Sequence, residues 1–217
     1  MNPNLSLRLI CAFILGALLQ VAALGAYAND LPDAVSPYAT TPESVVNQML
    51  LLAQVGPDDF VVDLGSGDGR VVIAAIKKFN ARAGFGVDID ASLVGYSNAK
   101  AQEAGVADRA KFYLRDMFKT DIREASVVTV YLLPEGMNKL RSKLLTELKP
   151  GTRVVAHDYQ FQGWPVDRIV SFDVPEKNDY TARRETSLYL YIVPSPKVSA
   201  VSRPAAALSS EDEPAAK

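Results

Sequence analysis

The sequence predicts an α/β protein: a doubly wound, mostly parallel sheet that ends in an antiparallel hairpin. Three observations in its 217 residues carry that reading. Short runs rich in Val, Ile and Phe alternate with stretches whose apolar residues recur at helical spacing, the pattern of strands joined by crossover helices. The first such strand runs straight into the glycine-rich turn Gly65-Ser66-Gly67-Asp68-Gly69, from which the next helix begins. The last two apolar runs have only a polar stretch between them, so they are expected to pair as antiparallel neighbours.

Thr41-Pro42-Glu43 marks a helix start, with Thr41 as cap and Pro42 at the first helical position. Val45, Val46, Met49, Leu50 and Leu52 supply its apolar stripe, and the helix is expected to end near Gly56-Pro57. Phe60 to Leu64 reads as the first strand and Val71 to Phe79 as the helix beyond the glycine turn. Strand Gly84 to Asp88, helix Ser92 to Ala104, strand Lys111 to Leu114 and strand Val127 to Leu132 follow. Helix Gly136 to Leu148 and strand Thr152 to Ala156 complete the alternation. Ile169 to Val174 and Ser187 to Val193 form the hairpin, joined by the polar stretch Glu176 to Glu185.

The expected domain spans residues 37–193, after a linker at 29–36. Ahead of it, Arg8 is the only charge in the first 29 positions, and Leu9 to Ala28 is an uncharged apolar run ending in Ala26-Tyr27-Ala28. Residues 1–28 therefore read as a signal peptide or a membrane anchor. Gln20 and the small residues near the end favour the cleaved signal, and in either case the positive end stays in the cytoplasm while the domain is exported, periplasmic or secreted, or held at the membrane. Residues 194–217, rich in Pro, Ala and Ser without periodicity, read as a disordered tail.

Composition narrows the chemistry. With 23 Lys and Arg against 25 Asp and Glu, a net charge of -2 offers no broad cationic field, which argues against nucleic-acid binding. One cysteine, Cys11, and one histidine, His157, exclude disulfide scaffolds and His- or Cys-rich metal centres, so no metal is expected.

The chemistry-bearing segment is Asp63-Leu64-Gly65-Ser66-Gly67-Asp68-Gly69. Glycines at a strand-to-helix turn let the backbone approach a ligand closely, while helix amides face negative charge. The dinucleotide fingerprint would place its third glycine at position 70, which is Arg70, and no Gly-Lys-Ser/Thr element follows for a phosphate loop. Both of those readings fail. The second strand ends in Gly86-Val87-Asp88-Ile89-Asp90, which puts a carboxylate beside the turn where it can accept both ribose hydroxyls; Asp88 is the choice for that role. Asp90 reads as the cap of the next helix. The third strand ends in Leu114-Arg115-Asp116-Met117-Phe118, offering a carboxylate to an adenine amino group and apolar cover for the ring. Together these describe a nucleoside site without a pyrophosphate cradle.

With Asp63, Gly65, Gly67 and Gly69 matching acid-x-Gly-x-Gly-x-Gly, the sequence resembles the class I S-adenosylmethionine-dependent methyltransferases, which have a Rossmann-like fold. Pro37-Tyr38-x-x-Thr41-Pro42, DLGSGDGR, Asp116-Met117-Phe118, Tyr131-Leu-Leu-Pro134 and Leu148-Lys-Pro-Gly-Thr-Arg-Val-Val155 narrow this. They resemble the small lysine methyltransferase family that includes the mitochondrial enzymes acting on the c-ring protein of ATP synthase and on the adenine nucleotide translocase. The resemblance implies S-adenosyl-L-methionine as cofactor and a protein substrate, in that family a membrane protein. It further implies that Asp63 and Gly65, Ser66, Gly67, Asp68 and Gly69 hold the methionine part, Asp88 with Ile89 the ribose, and Asp116 with Met117 the adenine. Tyr38 and Thr41 would close over the site.

Tyr131, Tyr159, Phe161 and Trp164 lie on expected strand ends or loops where an aromatic acceptor pocket would form, and Tyr131 is the catalytic candidate. Such a pocket disfavours the ammonium and can hold a methylated cation on aromatic faces. Each site residue has a plainer reading: the glycines as a tight turn, Asp68 as a loop acid, Tyr131 and Trp164 as packing, and His157 beside Asp158 as a structural histidine. Two rival functions remain at this level, an exported binding protein that keeps the fold without catalysis and a methyltransferase for small molecules.

Overall fold

The computed structural model describes residues 39–177 and 184–195. The apolar leader, the linker, Tyr38 and the tail from residue 196 onward lie outside the described residues. Within them the elements run α1 (Glu43–Leu52), β1 (Phe60–Leu64), α2 (Arg70–Phe79), β2 (Ala83–Asp88), α3 (Ala91–Glu103), β3 (Ala110–Leu114) and β4 (Val127–Val130). They continue through α4 (Pro134–Glu147), β5 (Arg153–His157), β6 (Arg168–Asp173) and β7 (Glu185–Ile192).

The seven strands form one sheet in the order β3-β2-β1-β4-β5-β7-β6. β1 to β5 are mutually parallel, whereas β7 runs antiparallel to both β5 and β6. The expected terminal hairpin is therefore present, with its second strand inserted between β5 and β6. Alternate residues of each strand face opposite sides. Val61 and the helices α1 and α2 contribute to one apolar layer, while Val62, Leu64, Val128 and Val130 pack with Met137, Leu140 and Leu144 of α4 on the other. Burial on both faces explains why these strands read as continuous apolar runs.

Two expectations for α1 need correction. The helix starts at Glu43, and Pro42 occupies the capping position with φ -56° and ψ 149° and no side-chain cap. A residue before proline is pushed toward extended backbone, so Thr41 leaves the helix axis and its side chain serves elsewhere. The helix also stops at Leu52 and not near Gly56. Gln54 takes a left-handed φ of 52°. Arg153 then donates to the freed carbonyl of Ala53 at 2.7 Å, which satisfies a helix end that would otherwise be orphaned. By contrast Asp90 caps α3 as expected, accepting from the Ser92 and Leu93 amides at 2.8 and 3.2 Å.

The same Arg153 pairs with Asp59, which is 6% exposed and also accepts from the Gly56 amide at 2.9 Å and the Ser126 hydroxyl at 2.7 Å. This node pins the end of α1 to β5 at the edge of the sheet remote from the glycine turn. Asp59→Ala leaves a guanidinium and two donors without their acceptor and is expected to cost about 3 kcal/mol in urea unfolding. Ligand affinity at the glycine turn should not change.

Candidate active site

The chain proceeds outward from β1 to β3 and then returns to place β4 on the other side of β1. At this reversal the connections leave in opposite directions, opening a crevice at the carboxyl ends of the strands. The glycine turn occupies that crevice. Gly65, Gly67 and Gly69 have φ of 81°, 51° and 79°, the left-handed region that other residues adopt only with strain. The turn is fastened to β2: the Gly65 and Ser66 amides donate to the Val87 carbonyl at 3.0 and 2.9 Å, and the Gly67 amide donates to Asp88 Oδ2 at 2.8 Å.

Close approach of the turn to β2 depends on Gly86. A Cβ there would stand 2.4 Å from the Ser66 Cβ. At Gly69 a Cβ would lie 2.6 Å from Phe112 and 2.7 Å from Ser97. Gly65, in contrast, faces the open crevice, with Met117 Cε 3.5 Å and Leu132 Cδ2 3.7 Å from where its Cβ would be. Glycine is thus required by packing at positions 69 and 86 and by backbone conformation at the crevice.

Four acids surround this turn, each in a different state. Asp63, on β1, is buried and accepts from the Thr129 hydroxyl at 2.6 Å. Burial pushes its pKa up to about 7; the Thr129 bond opposes this, and the nearby charges of Asp88 and Asp68 add to it. Among the described residues no cation is paired with it. Asp68 is the reverse case. Its burial is outweighed by hydrogen bonds and charges from Arg70 and Lys100, each 2.8 Å from Oδ2, which bring its pKa down to about 2. Both Asp68 oxygens are committed to the chain's own cations, so the group braces α2 and α3 against the turn. Asp88 is half-buried, with Oδ2 on Gly67 and Oδ1 accepting from the Asp90 amide at 3.0 Å. A carboxylate oxygen has further lone pairs, so Asp88 retains acceptor capacity. Asp116 Oδ1 accepts from the Phe118 amide at 2.8 Å, which folds the β3 end so that Met117 comes over Gly65. Ile89 is half-buried beside Asp88.

Strand register carries the site across β4 to β5. Leu64 pairs with Val130 and Val130 with Ala156, so Gly65, Tyr131 and His157 follow one another along the carboxyl edge. Tyr131 stacks on His157 with ring centroids 4.0 Å apart, and its hydroxyl donates to Asp158 Oδ2 at 3.4 Å. Asp158 has a left-handed φ of 60° and also receives the Lys177 ammonium at 2.7 Å and the Ser187 amide at 3.2 Å. Thr41 bridges the two halves: its carbonyl accepts from Arg70 at 2.7 Å, and its hydroxyl lies 3.5 Å from His157 Nδ1. His157 is 1% exposed, which fits the structural reading of that residue.

The expected four-aromatic pocket does not form. Phe161 and Trp164 are buried together against Tyr191, whose hydroxyl accepts from the Phe161 amide at 3.0 Å. Large aromatic surface is stabilised more by joining the core under α4 than by lining a wet edge. Tyr131 remains at the crevice, and Tyr38 lies outside the described residues. Sequence reading missed Thr129, Gly86, Lys100 and Lys177. A lone threonine in Val127-Val128-Thr129-Val130 and two glycines inside β2 were the available signals; nothing local marks the two lysines.

A doubly wound sheet, a glycine turn without a phosphate cradle and acids at the ends of β1, β2 and β3 define a class I S-adenosylmethionine-dependent methyltransferase. Residues 63–168 match the family model of the ANTKMT methyltransferase domain. A protein-lysine N-methyltransferase of Saccharolobus islandicus is 40% identical over 157 residues, spanning 72% of this chain and 93% of that protein. The lysine N-methyltransferase of Mus musculus named for the c-subunit of ATP synthase is 37% identical over 182 residues, spanning 81% and 72%. Among solved structures, an RNA methyltransferase from Salinibacter ruber in complex with S-adenosyl-L-homocysteine shares 43% identity with a TM-score of 0.64, covering 72% of this chain and 95% of that one. The chain belongs to this family of lysine methyltransferases.

Proposed function

We propose that the protein transfers a methyl group from S-adenosylmethionine to a lysine amine of a protein, and that this acceptor is a membrane protein. The carrying observation is Asp63, a buried acid beside the glycine turn that pairs with no cation among the described residues. S-adenosylmethionine has an ammonium and a sulfonium but no phosphate, so this carboxyl and the half-open Asp88 match its charges and hydroxyls. The cofactor supplies an activated methyl: the amine lone pair forms the N–C bond while the S–C pair returns to sulfur, the amine having already lost a proton to solvent.

The chain's own residues bind and orient. Asp63 would hold the ammonium, the Gly65 to Gly69 backbone the methionine part, Asp88 and Ile89 the ribose, and Asp116 with Met117 the adenine. Positioning the amine on the methyl axis supplies much of the acceleration, and no strong base is required. Tyr131, adjacent to Gly65 along the strand edge, would orient the acceptor.

The membrane assignment is supported by two things: a relative named for a component of ATP synthase, and the apolar run Leu9 to Ala28, which would export the domain or keep it at a bilayer. One similar structure is named an RNA methyltransferase, whereas the formal charge of -2 gives no steering field toward nucleic acid. Incubation with methyl-labelled cofactor and separated cell fractions is expected to label membrane protein, yielding methyllysine on hydrolysis. Label confined to RNA or to low-mass compounds overturns the acceptor assignment. A reporter fused after Val193 tests which side of the membrane the domain faces.

A further inference from the structure

We propose that the Asp158 carboxylate and the Tyr131 hydroxyl form the docking subsite where the acceptor lysine arrives as an ammonium, before it loses its proton to solvent and moves onto the methyl axis, and that Lys177 of the same chain fills it until an acceptor displaces it. The inference rests on the lysine-acceptor reading above and extends it to a recognition residue and a built-in competitor.

Position comes first. The cofactor side of the crevice is set by Gly65 at the end of β1, and the register places Tyr131 one strand over and His157-Asp158 two strands over. An acceptor reaching the methyl group from outside the nucleoside site must come in over these ends. Chemistry comes second. Asp158 Oδ2 is where Tyr131 Oη, at 3.4 Å, and Lys177 Nζ, at 2.7 Å, converge. An aromatic hydroxyl beside a carboxylate is a site for a primary ammonium, and the group seated there is a lysine side chain. Lys177 is 4% exposed along its side chain and gives a second hydrogen bond to the Glu185 carbonyl at 3.0 Å.

Facing Asp158, among the described residues, are Tyr131 from β4, His157 Nε2 at 3.5 Å from β5, the Ser187 amide from β7 and Lys177 from beyond β6, while Thr41 meets the other ring nitrogen of His157. Asp158 stands at φ 60°, the left-handed region that Asp and Asn adopt more readily than other non-glycine residues. Lys177 stands outside regular secondary structure, past the end of β6, so releasing it breaks no strand pairing.

The experiment compares wild type, Lys177→Met, Lys177→Gln and the double variant Lys177→Met with Asp158→Asn, each loaded with S-adenosyl-L-homocysteine. The probes are an acetylated Ala-Lys-Ala peptide amide and its norleucine twin, which lacks the amine. If Lys177 fills the subsite about nine-tenths of the time, both single variants bind the lysine peptide about tenfold more tightly. The norleucine twin gains nothing, and adding Asp158→Asn, which tolerates the left-handed backbone, abolishes the gain. A purely structural Lys177 would instead leave the lysine peptide's affinity unchanged or weaken it. That result, or an equal gain for both peptides, overturns the inference. Calorimetry of S-adenosyl-L-homocysteine on wild type separates the two levels, since failure to bind there would undo the methyltransferase reading itself.

Discussion

Asp63→Asn is expected to remove measurable S-adenosylmethionine binding while making the ligand-free domain more stable above neutral pH. The two effects have one origin. Asp63 is buried on β1 with the Thr129 hydroxyl as partner, and its pKa is pushed up to about 7 by burial and then by its acidic neighbours. In the unfolded chain the same group titrates near 4. Below that pH both states hold the proton and folding is indifferent to it. Between pH 4 and 7 the unfolded state ionises and the folded state does not, so stability falls as pH rises. Above pH 7 the full penalty applies, about 4 kcal/mol for a shift of roughly three units. An asparagine keeps the acceptor for Thr129 and never carries the charge. Its own buried amide costs something, so a net gain of about 2 kcal/mol at pH 8 is the expected result in thermal or urea unfolding. Cofactor affinity moves the other way. Loss of the charge opposite the cofactor ammonium should weaken binding at least about a hundredfold by calorimetry. In wild type, affinity should also decline about tenfold per pH unit below 7, because binding then requires Asp63 to lose its proton. Undiminished affinity in Asp63→Asn would place the ammonium elsewhere.

How much of this was legible in the sequence follows from the range over which each force acts. The sheet and its hairpin could be read because strand and helix periodicities are local, and the glycine turn because φ and close packing act within a few residues. Element ends were less legible, since α1 stops on a left-handed Gln54, a residue type that does not announce that backbone, and Arg153 satisfies the Ala53 carbonyl from a hundred positions away. The site divides in the same way. Asp63, Gly65, Gly67, Gly69 and Asp88 lie on contiguous segments and declare themselves by spacing. Asp68 also matched the motif, but its pairing with Lys100 depends on where α3 is laid down. Phe161 and Trp164 were misplaced because residue type alone does not distinguish a wet rim from a dry core. Tyr191, which completes their cluster, comes from the last strand. Lys177 had no local signature, and only the pairing of β7 with β5, with β6 on its far side, brings its ammonium to Asp158.

Gly86→Ala is expected to destroy the cofactor site, although Gly86 touches no part of the proposed ligand and has no unusual backbone angle. The added methyl would stand 2.4 Å from the Ser66 Cβ, 2.5 Å from its Oγ and 2.8 Å from a Phe112 ring carbon. Those distances lie far inside contact, and the Ser66 Cβ is fixed to the backbone of the turn, so no rotamer clears the clash. The strand is held on both sides, Gly86 pairing with Asp63 and Phe112, which leaves the turn as the part that yields. Displacing it breaks the Ser66 and Gly67 hydrogen bonds to Val87 and Asp88, which set the turn's height above β2. A stability loss of about 2 kcal/mol from overpacking is expected, together with loss of detectable S-adenosylmethionine binding. Gly95→Ala is the control of opposite sign. Gly95 sits within α3 with open space where its Cβ would go, so alanine there should stabilise the domain by about 0.5–1 kcal/mol and leave affinity intact. If Gly86→Ala bound cofactor as well as Gly95→Ala does, the turn would not be the cofactor's seat, because a displaced turn cannot hold the same ligand in the same way.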